Sequence, residues 1–321
     1  MWVLISLRGC LKRGVGGKKL SGDKLKILSH SNPERDMSKA YSSNLTQWQW
    51  ELIEAMIPPA KPGGRNREVE VWSVLNAIFY VLTQGCTWRN LPGDFPAWQT
   101  VYTYFALRVT RHARNWRKDG TWVAIHEKLR DWVRSEQERK PDPSEAIIDS
   151  QSVKTAAMVN QSVGYDAGKK IKGRKRFVTV DTLGLILSVF VTAASQTERD
   201  GGKIVLQRLK DKGTRIARLH TIWAARFGGK LPPKSCLVDG GFTGDSFMMW
   251  VMDLCHWVVQ VVLRPQEHKG FVLLPKRWVV ERTFGWLSWC RRLNRDHEGL
   301  PASSETWIYI AMIRIMVRRL A

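Results

Sequence analysis

The sequence has few cysteines, and their spacing supports neither a zinc ribbon nor a disulfide framework. The five are Cys10, Cys86, Cys236, Cys255 and Cys290, and no two of them form a C-x-x-C pair. Because an odd number of widely spaced cysteines favours free thiols, we predict a protein of a reducing, cytoplasmic compartment.

Long apolar runs are also missing. The longest candidate, residues 71–82, contains Ser73 and Asn76 and is shorter than the roughly 20 apolar residues that a membrane-spanning helix needs. Residues 2–7 are apolar except for Ser6, but they are too few for a secretory signal and no basic residue precedes them. The sequence therefore predicts no membrane span and no secretory signal.

Acidic residues are the third scarce class. The 321 residues include 51 Lys and Arg but only 29 Asp and Glu, which gives a formal net charge of +22. Positive charge that extends along most of a chain favours a polyanionic partner. Nucleic acid is the first candidate and a membrane surface is the second, while a basic soluble protein without such a partner is the remaining alternative.

Composition and periodicity divide the chain into three parts. Residues 1–36 are rich in glycine and lysine without sustained periodicity, which is typical of a disordered basic tail. Residues 37–140 predict an all-α DNA-binding domain of helix-turn-helix type, with an ordinary helical bundle as the alternative. Pro141 and Pro143 mark a boundary, and residues 144–321 predict an α/β domain with a mixed sheet and flanking helices.

Capping and stop signals place the helices of the first domain. Thr46 and Gln49 have the spacing of a capping box, and Gly85 is expected to end the second helix. The predicted helices are residues 46–56, 68–83, from 97 onward, and 109–138. In the α/β part, the predicted strands are residues 145–149, 177–181, 185–194, 235–239 and 257–263, and the predicted helices are 200–212, 245–254, 276–295 and 304–320.

Three acids could form a site at the edge of this sheet. Asp149 and Asp239 each end a short apolar strand, and Glu281 is a single acid within a basic amphipathic helix. Taken one at a time, each aspartate is more typical of a turn, and Glu281 of an ion pair with Arg277. We assign Asp181, which precedes a hairpin turn, to that ordinary class, and expect Asp200 to cap a helix.

The three acids together would have a different chemistry. Two carboxylates at close range are unfavourable unless a cation or a proton joins them, and oxygen-only ligands select a hard ion such as Mg²⁺. A third acid, from a helix packed on the sheet, would complete a site for two metal ions that acts on a phosphodiester. The surrounding lysines and arginines would hold a nucleic-acid backbone independently of its sequence.

Five short motifs follow one another between residues 148 and 282. They are IDSQSVK at 148–154, GYDAGKK at 164–170, VDTLG at 180–184, VDGGF at 238–242 and RWVVER at 277–282. In this order they resemble the DDE transposases of bacterial insertion sequences, in the branch named after insertion sequence five. The resemblance runs from about residue 45 to the C-terminus, and five ordered motifs are far more specific than any one alone.

The resemblance implies a ribonuclease H-like catalytic domain after a helical DNA-binding domain. It implies a transposase that binds the inverted-repeat ends of its element, cleaves double-stranded DNA and joins the strands to a target. Asp149, Asp239 and Glu281 would be the catalytic and metal-binding residues, with Mg²⁺ as cofactor and Mn²⁺ able to substitute. We expect a homodimer on DNA, in the bacterial cytoplasm near the nucleoid. The residues expected to contact DNA are Lys154, Lys169, Lys170, Lys172, Arg174, Lys175, Arg176, Arg277 and Arg282.

The chain departs from the family pattern in several places. Leu274 stands where the family has a tyrosine, and Ser288 where it has a basic residue. The sequence at Ile222 resembles the family's segment just before the second catalytic aspartate, but no carboxylate follows it directly. Asp239 comes only after the stretch 221–236, which looks like added sequence. We take Asp239 as the catalytic residue. The insertion leaves open a catalytically inactive, DNA-binding remnant of a transposase; a general nuclease and an RNA-binding protein are further alternatives.

Overall fold

A capping box starts the first helix, as predicted. Thr46 Oγ1 accepts a hydrogen bond from the Gln49 N–H at 3.2 Å, and Gln49 Oε1 accepts one from the Thr46 N–H at 3.1 Å. Gly85 ends the second helix with a φ of +71°, a conformation that favours glycine. The helices of this part are α1 Gln47–Glu54, α2 Val71–Gln84, α3 Trp98–Ala106 and α4 Thr121–Glu136, with a short 3₁₀ helix at Trp88–Asn90.

The computed structural model describes residues 41–59, 68–106, 116–222, 245–262 and 276–321. These residues all belong to one compact unit, whereas the predicted tail, residues 1–36, lies outside the described ranges. Helix α4 begins at Thr121, later than the predicted start at residue 109; Gly120 is its N-cap with a φ of +79°, and Asp119 Oδ1 accepts a hydrogen bond from the Thr121 N–H at 3.1 Å. Within the described ranges, no helix is long and apolar enough to cross a membrane.

In the described residues, the α/β part is built on a mixed sheet of six strands, which confirms the predicted class. β3 pairs antiparallel with β1, β2 and β4, and β1 then pairs in parallel with β5, which pairs in parallel with β6. A Cβ at Gly173 would lie 2.0 Å from the Val153 carbonyl oxygen, so only glycine allows β1 and β3 to approach as they do. The strands are β1 Glu145–Lys154, β2 Gly164–Asp166, β3 Ile171–Val180, β4 Ile186–Ala193, β5 Arg218–Ile222 and β6 Val258–Val262.

The hairpin between β3 and β4 confirms the turn role assigned to Asp181. Its Oδ1 accepts hydrogen bonds from the Leu183 N–H at 2.9 Å and the Leu185 N–H at 2.8 Å. Its Oδ2 forms a buried ion pair with Arg134 of α4. Asp181 therefore closes the turn and also joins the sheet to the helix that precedes it.

Helices cover both faces of the sheet. One face buries Ile148 and Phe177 against α5, and Phe247 and Trp257 extend the same core. Thr197, rather than the predicted Asp200, caps α5, since Thr197 Oγ1 accepts the Asp200 N–H at 3.1 Å. The helices are α5 Glu198–Asp211, α6 Asp245–Trp250 with a π-helical turn at Val251–Cys255, α7 Arg277–Ser288, α8 Arg291–Asn294 and α9 Pro301–Leu320.

The C-terminal helix α9 connects the N-terminal helices to the sheet. It packs on α4, α2 and β4, and most of its residues are buried. Trp307 of α9 stacks on Phe105 of α3 at a centroid distance of 4.3 Å and lies 5.7 Å from Trp88. The helices before residue 140 therefore share an aromatic core with the C-terminal end of the chain.

The predicted helix 276–295 is broken into α7 and α8. Cys290 has an extended backbone, with φ −90° and ψ 102°, and its side chain is buried. The break turns Arg292 inward, where its Nη2 lies 2.6 Å from Glu298 Oε1 and its Nη1 donates to the Cys86 carbonyl at 3.3 Å. A continuous helix would not bring this arginine to both acceptors.

Candidate active site and DNA-contacting surface

Asp149 lies in the middle of β1, so the prediction that the strand ends there is wrong. The antiparallel partner β3 extends β1 to Lys154, whereas the described residues of β5 pair with β1 as far as Ile148. The Asp149 side chain is half-buried, and its Oδ1 accepts a hydrogen bond from the Ser150 N–H at 2.7 Å. Asp149 therefore follows directly on the parallel pairing of the described residues, and ligands gather beyond the carboxyl ends of parallel strands in open α/β sheets.

The strand beside β1 is β5, which sequence reasoning missed. Asp239 and the predicted strand 235–239 lie outside the described residues. β5 occupies residues 218–222, where Leu219 faces the core and the branched residues Thr221 and Ile222 follow. A helix such as α5 commonly connects two strands of one sheet, and the strand that follows it then pairs in parallel with a strand of that sheet. This topological rule could have predicted β5.

Helix α7 runs alongside β1 in the same direction. At the start of both elements, Lys276 forms an ion pair with Glu145. Beyond the end of both elements, the Asp296 N–H donates to the Lys154 carbonyl at 2.9 Å, and the Ala156 N–H donates to the Asp296 carbonyl at 2.8 Å. These contacts hold residues 276 and 296, on either side of α7, against the two ends of β1.

Asp149 lies on the face of the sheet against which α7, the helix of Glu281, packs. Side chains alternate along a strand, so Asp149 shares a face of β1 with Glu145, the partner of Lys276. From that ion pair, Asp149 is four residues or about 13 Å along the strand. Glu281 is five residues or about 7.5 Å along the helix, in the same direction, and its side chain is exposed.

The donors on this face suit a hard divalent cation. Asp149 and Glu281 offer only carboxylate oxygens, the ligands that Mg²⁺ prefers. Among the residues that the structure describes, no three His, Cys, Asp or Glu side chains are grouped to hold a metal ion. Asp239, the third predicted ligand, is outside that range. Arg277 is the first residue of α7, one turn before Glu281, and its side chain is likewise outside the description.

The basic segment 169–176 contains both exposed and buried cations. Lys169, Lys170 and Lys172 are exposed, as is Lys154 on the neighbouring strand. Lys169 Nζ also donates to the Ser150 carbonyl at 3.2 Å, next to Asp149. The buried cations are Arg174, Lys175 and Arg176. Only the exposed set can meet a DNA backbone.

Arg174 is the centre of a buried hydrogen-bond network. Its Nη1 donates to Asp296 Oδ1 and to Ser304 Oγ, each at 3.1 Å. Its Nη2 donates to the carbonyl oxygens of Gln161 and Gly299, each at 2.8 Å. The guanidinium therefore joins β3 to the segment that precedes α9.

Lys175 and Arg176 are also bound to internal partners. Lys175 Nζ donates to Glu198 Oε1 at 2.9 Å and to the Gln196 carbonyl at 2.8 Å. Arg176 Nη1 donates to the Leu293 carbonyl at 2.8 Å, and burial lowers the pKa of its guanidinium to about 10. The predicted DNA contacts of Arg174, Lys175 and Arg176 are corrected accordingly, because these side chains are buried on both faces of the sheet.

Arg282 is part of a stack of cationic and aromatic side chains on α7. Its guanidinium lies 4.5 Å from the Trp278 ring centroid and 4.6 Å from that of Trp286, whose ring is also 4.3 Å from Arg319. Arg282 Nη2 donates to the Leu183 carbonyl at 2.9 Å, and burial lowers its pKa. Arg282 thus attaches α7 to the β3–β4 turn rather than extending towards DNA.

Two family models of known proteins match most of the chain. Residues 45–126 match a family model described as "Putative transposase of IS4/5 family", and residues 140–316 match the model "Transposase DDE domain". The chain is also 31% identical over 119 residues to the insertion element IS402 uncharacterized 16.2 kDa protein of Burkholderia cepacia. That alignment covers 36% of this chain and 75% of the relative.

Proposed function

We propose, from the premise that this chain belongs to the DDE transposase family, that it binds the ends of its own insertion sequence and catalyses strand cleavage and strand transfer. The family match over residues 140–316 supports the transposase class. The finer steps are our proposal: recognition of terminal inverted repeats, cleavage of double-stranded DNA and joining to a target.

The observation that carries the proposal is the shared position of Asp149 and Glu281. β1 and α7 run side by side, and the Lys276–Glu145 ion pair aligns their starts. Asp149 therefore lies on the face of the sheet against which α7, the helix of Glu281, packs.

Asp149, Asp239 and Glu281 would hold Mg²⁺, with Mn²⁺ able to substitute. When bound, the metal would supply Lewis-acid activation of the phosphodiester and of the attacking oxygen. Lys154, Lys169, Lys170 and Lys172 would hold the sugar–phosphate backbone by charge on the same sheet, independently of base sequence. Arg277 would add a phosphate contact one turn before Glu281.

The remaining parts of the proposal concern the fold and the assembly. We assign the mixed sheet with its flanking helices to the ribonuclease H-like class, supported by four strands joined by antiparallel pairing, β1 to β4, followed by two strands, β5 and β6, that pair in parallel. Residues 37–140 would form the helical DNA-binding part and residues 144–321 the catalytic part. Because two ends of an element must be held together, we propose a homodimer on DNA.

The test is cleavage of a labelled duplex that carries the element's own end. Purified full-length protein is incubated with Mg²⁺ or Mn²⁺, or with EDTA, beside Glu281→Gln and Asp149→Asn variants. Loss of an outer-shell partner of a metal typically costs about 10–100-fold, so loss of a ligand should cost at least about 100-fold. DNA binding, measured separately by anisotropy, should stay within a few-fold of the wild type.

The matched control is Asp253→Asn, an exposed acid of the π-helical turn after α6. This variant also loses one negative charge, but at a residue outside α7, and it should cleave the labelled duplex at the wild-type rate. Asp239→Asn tests the third acid directly. If Glu281→Gln abolishes DNA binding as well as cleavage, Glu281 is a structural residue and the site assignment fails. DNA binding without cleavage by the wild type would instead identify an inactive remnant.

A further inference from the structure

A cationic cleft lies beyond the end of β1. It has a volume of about 440 Å³, in the range of clefts that hold a small organic group. Its walls carry Lys154, Lys170, Lys172, Arg295 and Tyr165. We call this feature the Lys154 cleft. Its floor is apolar, formed in part by the buried side chains of Ala156 and Val159.

The strand register explains why these residues meet. Tyr165 of β2 is directly opposite Lys172 of β3, and Lys154 is the last residue of β1. Lys170 turns the chain between β2 and β3 with a φ of +55°. Arg295 reaches the cleft because the next residue, Asp296, forms backbone hydrogen bonds with the segment after β1. Three segments that are distant in sequence therefore supply the four cations: the end of β1, the β2–β3 turn with the start of β3, and the residue after α8.

The four cations have no acidic counterpart in the cleft. Within the described part of the chain, Lys154, Lys170, Lys172 and Arg295 form no ion pair with a carboxylate, and no acid lines the cleft. The nearest acid in sequence, Asp296, is buried and bound to Arg174. Four positive charges around one open cleft repel one another, and an anion that enters would relieve the repulsion.

Tyr165 indicates which anion fits. Its side chain is 55% exposed although it lies among the cations and above an apolar floor. An aromatic ring in a basic groove stacks on nucleic-acid bases, but the bases of an intact duplex are already stacked on each other. The Tyr165 ring can therefore stack only on the base of an unpaired nucleotide.

We propose that the Lys154 cleft binds an unpaired DNA strand, with the cations on its phosphates and Tyr165 on one base. This inference rests on the proposed function, since strand cleavage and transfer produce unpaired ends. The cleft begins five residues beyond Asp149 on the same strand, about 16 Å. On the order of five nucleotides span that distance at the duplex spacing of about 3.4 Å, and an extended unpaired strand needs fewer.

The first experiment measures the salt dependence of binding to a short fluorescein-labelled single-stranded DNA. It uses full-length protein and the triple variant Lys154→Gln, Lys172→Gln, Arg295→Gln. Each phosphate contact contributes about 0.7 to the slope of log affinity against log salt for a single strand. The slope should therefore become shallower by about 2 in the triple variant.

The charge-matched control is the triple variant Lys203→Gln, Lys212→Gln, Arg215→Gln. These residues lie on α5 or between α5 and β5, outside the proposed DNA-binding part and the lining of the cleft. The control should keep the wild-type slope. If both triple variants lower the slope equally, the effect is one of net charge alone, and the cleft is not the site.

Tyr165 separates an unpaired strand from a duplex. Tyr165→Leu should weaken single-strand binding about 5- to 150-fold without changing the salt slope, and Tyr165→Phe should retain the wild-type affinity. Loss of affinity in the cation variant with none in Tyr165→Leu would overturn the proposal in favour of a duplex-backbone site. Metal-dependent cleavage by the wild type is scored separately, so failure of the cleft and failure of the proposed function are distinguishable.

Discussion

Replacing Arg174 with glutamine should unfold the protein more readily, not simply weaken DNA binding. Arg174 is 0% exposed, and its guanidinium donates to Asp296, Ser304 and three backbone carbonyl oxygens. Glutamine carries no charge and is too short to reach these acceptors together. Removing one partner of a buried ion pair costs about 3–5 kcal/mol, because the other charge stays buried.

The lower end of that range is the expected value. The Asp296 carboxylate keeps two donors after the substitution, the Ser304 hydroxyl at 2.7 Å and the Glu298 N–H at 3.0 Å. A loss of about 3 kcal/mol corresponds to a fall in Tm of roughly 6–12 °C for a domain of about 150–250 residues. Thermal and urea unfolding followed by circular dichroism would measure it.

Lys172→Gln is the matched control for Arg174→Gln. Lys172 lies two residues earlier on the same strand and is exposed. The free energy of unfolding of the Lys172→Gln variant should stay within about 0.5 kcal/mol of the wild-type value. If Lys172 contacts one duplex phosphate, the salt slope should fall by about 0.9. The reasoning is refuted if Arg174→Gln keeps its Tm and loses DNA affinity instead, since the guanidinium would then face DNA.

Two further predictions concern buried charge. Burial, with the nearby Arg130 and Lys212, holds the pKa of His126 well below its usual value, so the unfolded chain takes up this proton first as pH falls. The contribution of His126 to the free energy of unfolding is complete above pH about 6.5, and it should fall by up to about 1.4 kcal/mol for each pH unit below that value. In urea unfolding measured across this pH range, the His126→Phe variant should show a flatter dependence of stability on pH. Arg134→Met leaves the Asp181 carboxylate buried without its cation, and should cost about 3–5 kcal/mol in the same assay, at unchanged intrinsic affinity for DNA in the folded protein.

Local signals in the sequence were sufficient to predict most of the helices. The capping box at Thr46, the stop at Gly85 and the turn at Asp181 each depend on residues within a few positions, and the structure confirms all three. The mixed sheet was predictable for a similar reason, since the change from helical periodicity to short apolar runs is itself local. Local chemistry therefore determines which elements form and where most of them begin.

The extents of β1 and β5 were not predictable in the same way. β1 continues to Lys154 through polar residues because β3 pairs with it along that length, and Ser150 and Ser152 look like loop residues in isolation. β5 is only five residues long and is stabilised by strands on both sides. Both depend on pairing between distant segments, and propensity carries no information about it.

The buried cations show how far a count of charge can mislead about a DNA-binding surface. The formal charge of +22 includes Arg174, Lys175 and Arg176, which donate to internal oxygens and present no charge at the surface. Counterion release depends only on cations that reach phosphates. The phosphates counted by a salt titration should therefore match the exposed lysines of the Lys154 cleft and its surroundings. The basic run therefore has two parts: Arg174, Lys175 and Arg176 hold the sheet to its surroundings, whereas Lys169, Lys170 and Lys172 are exposed and are the residues that we propose to contact DNA.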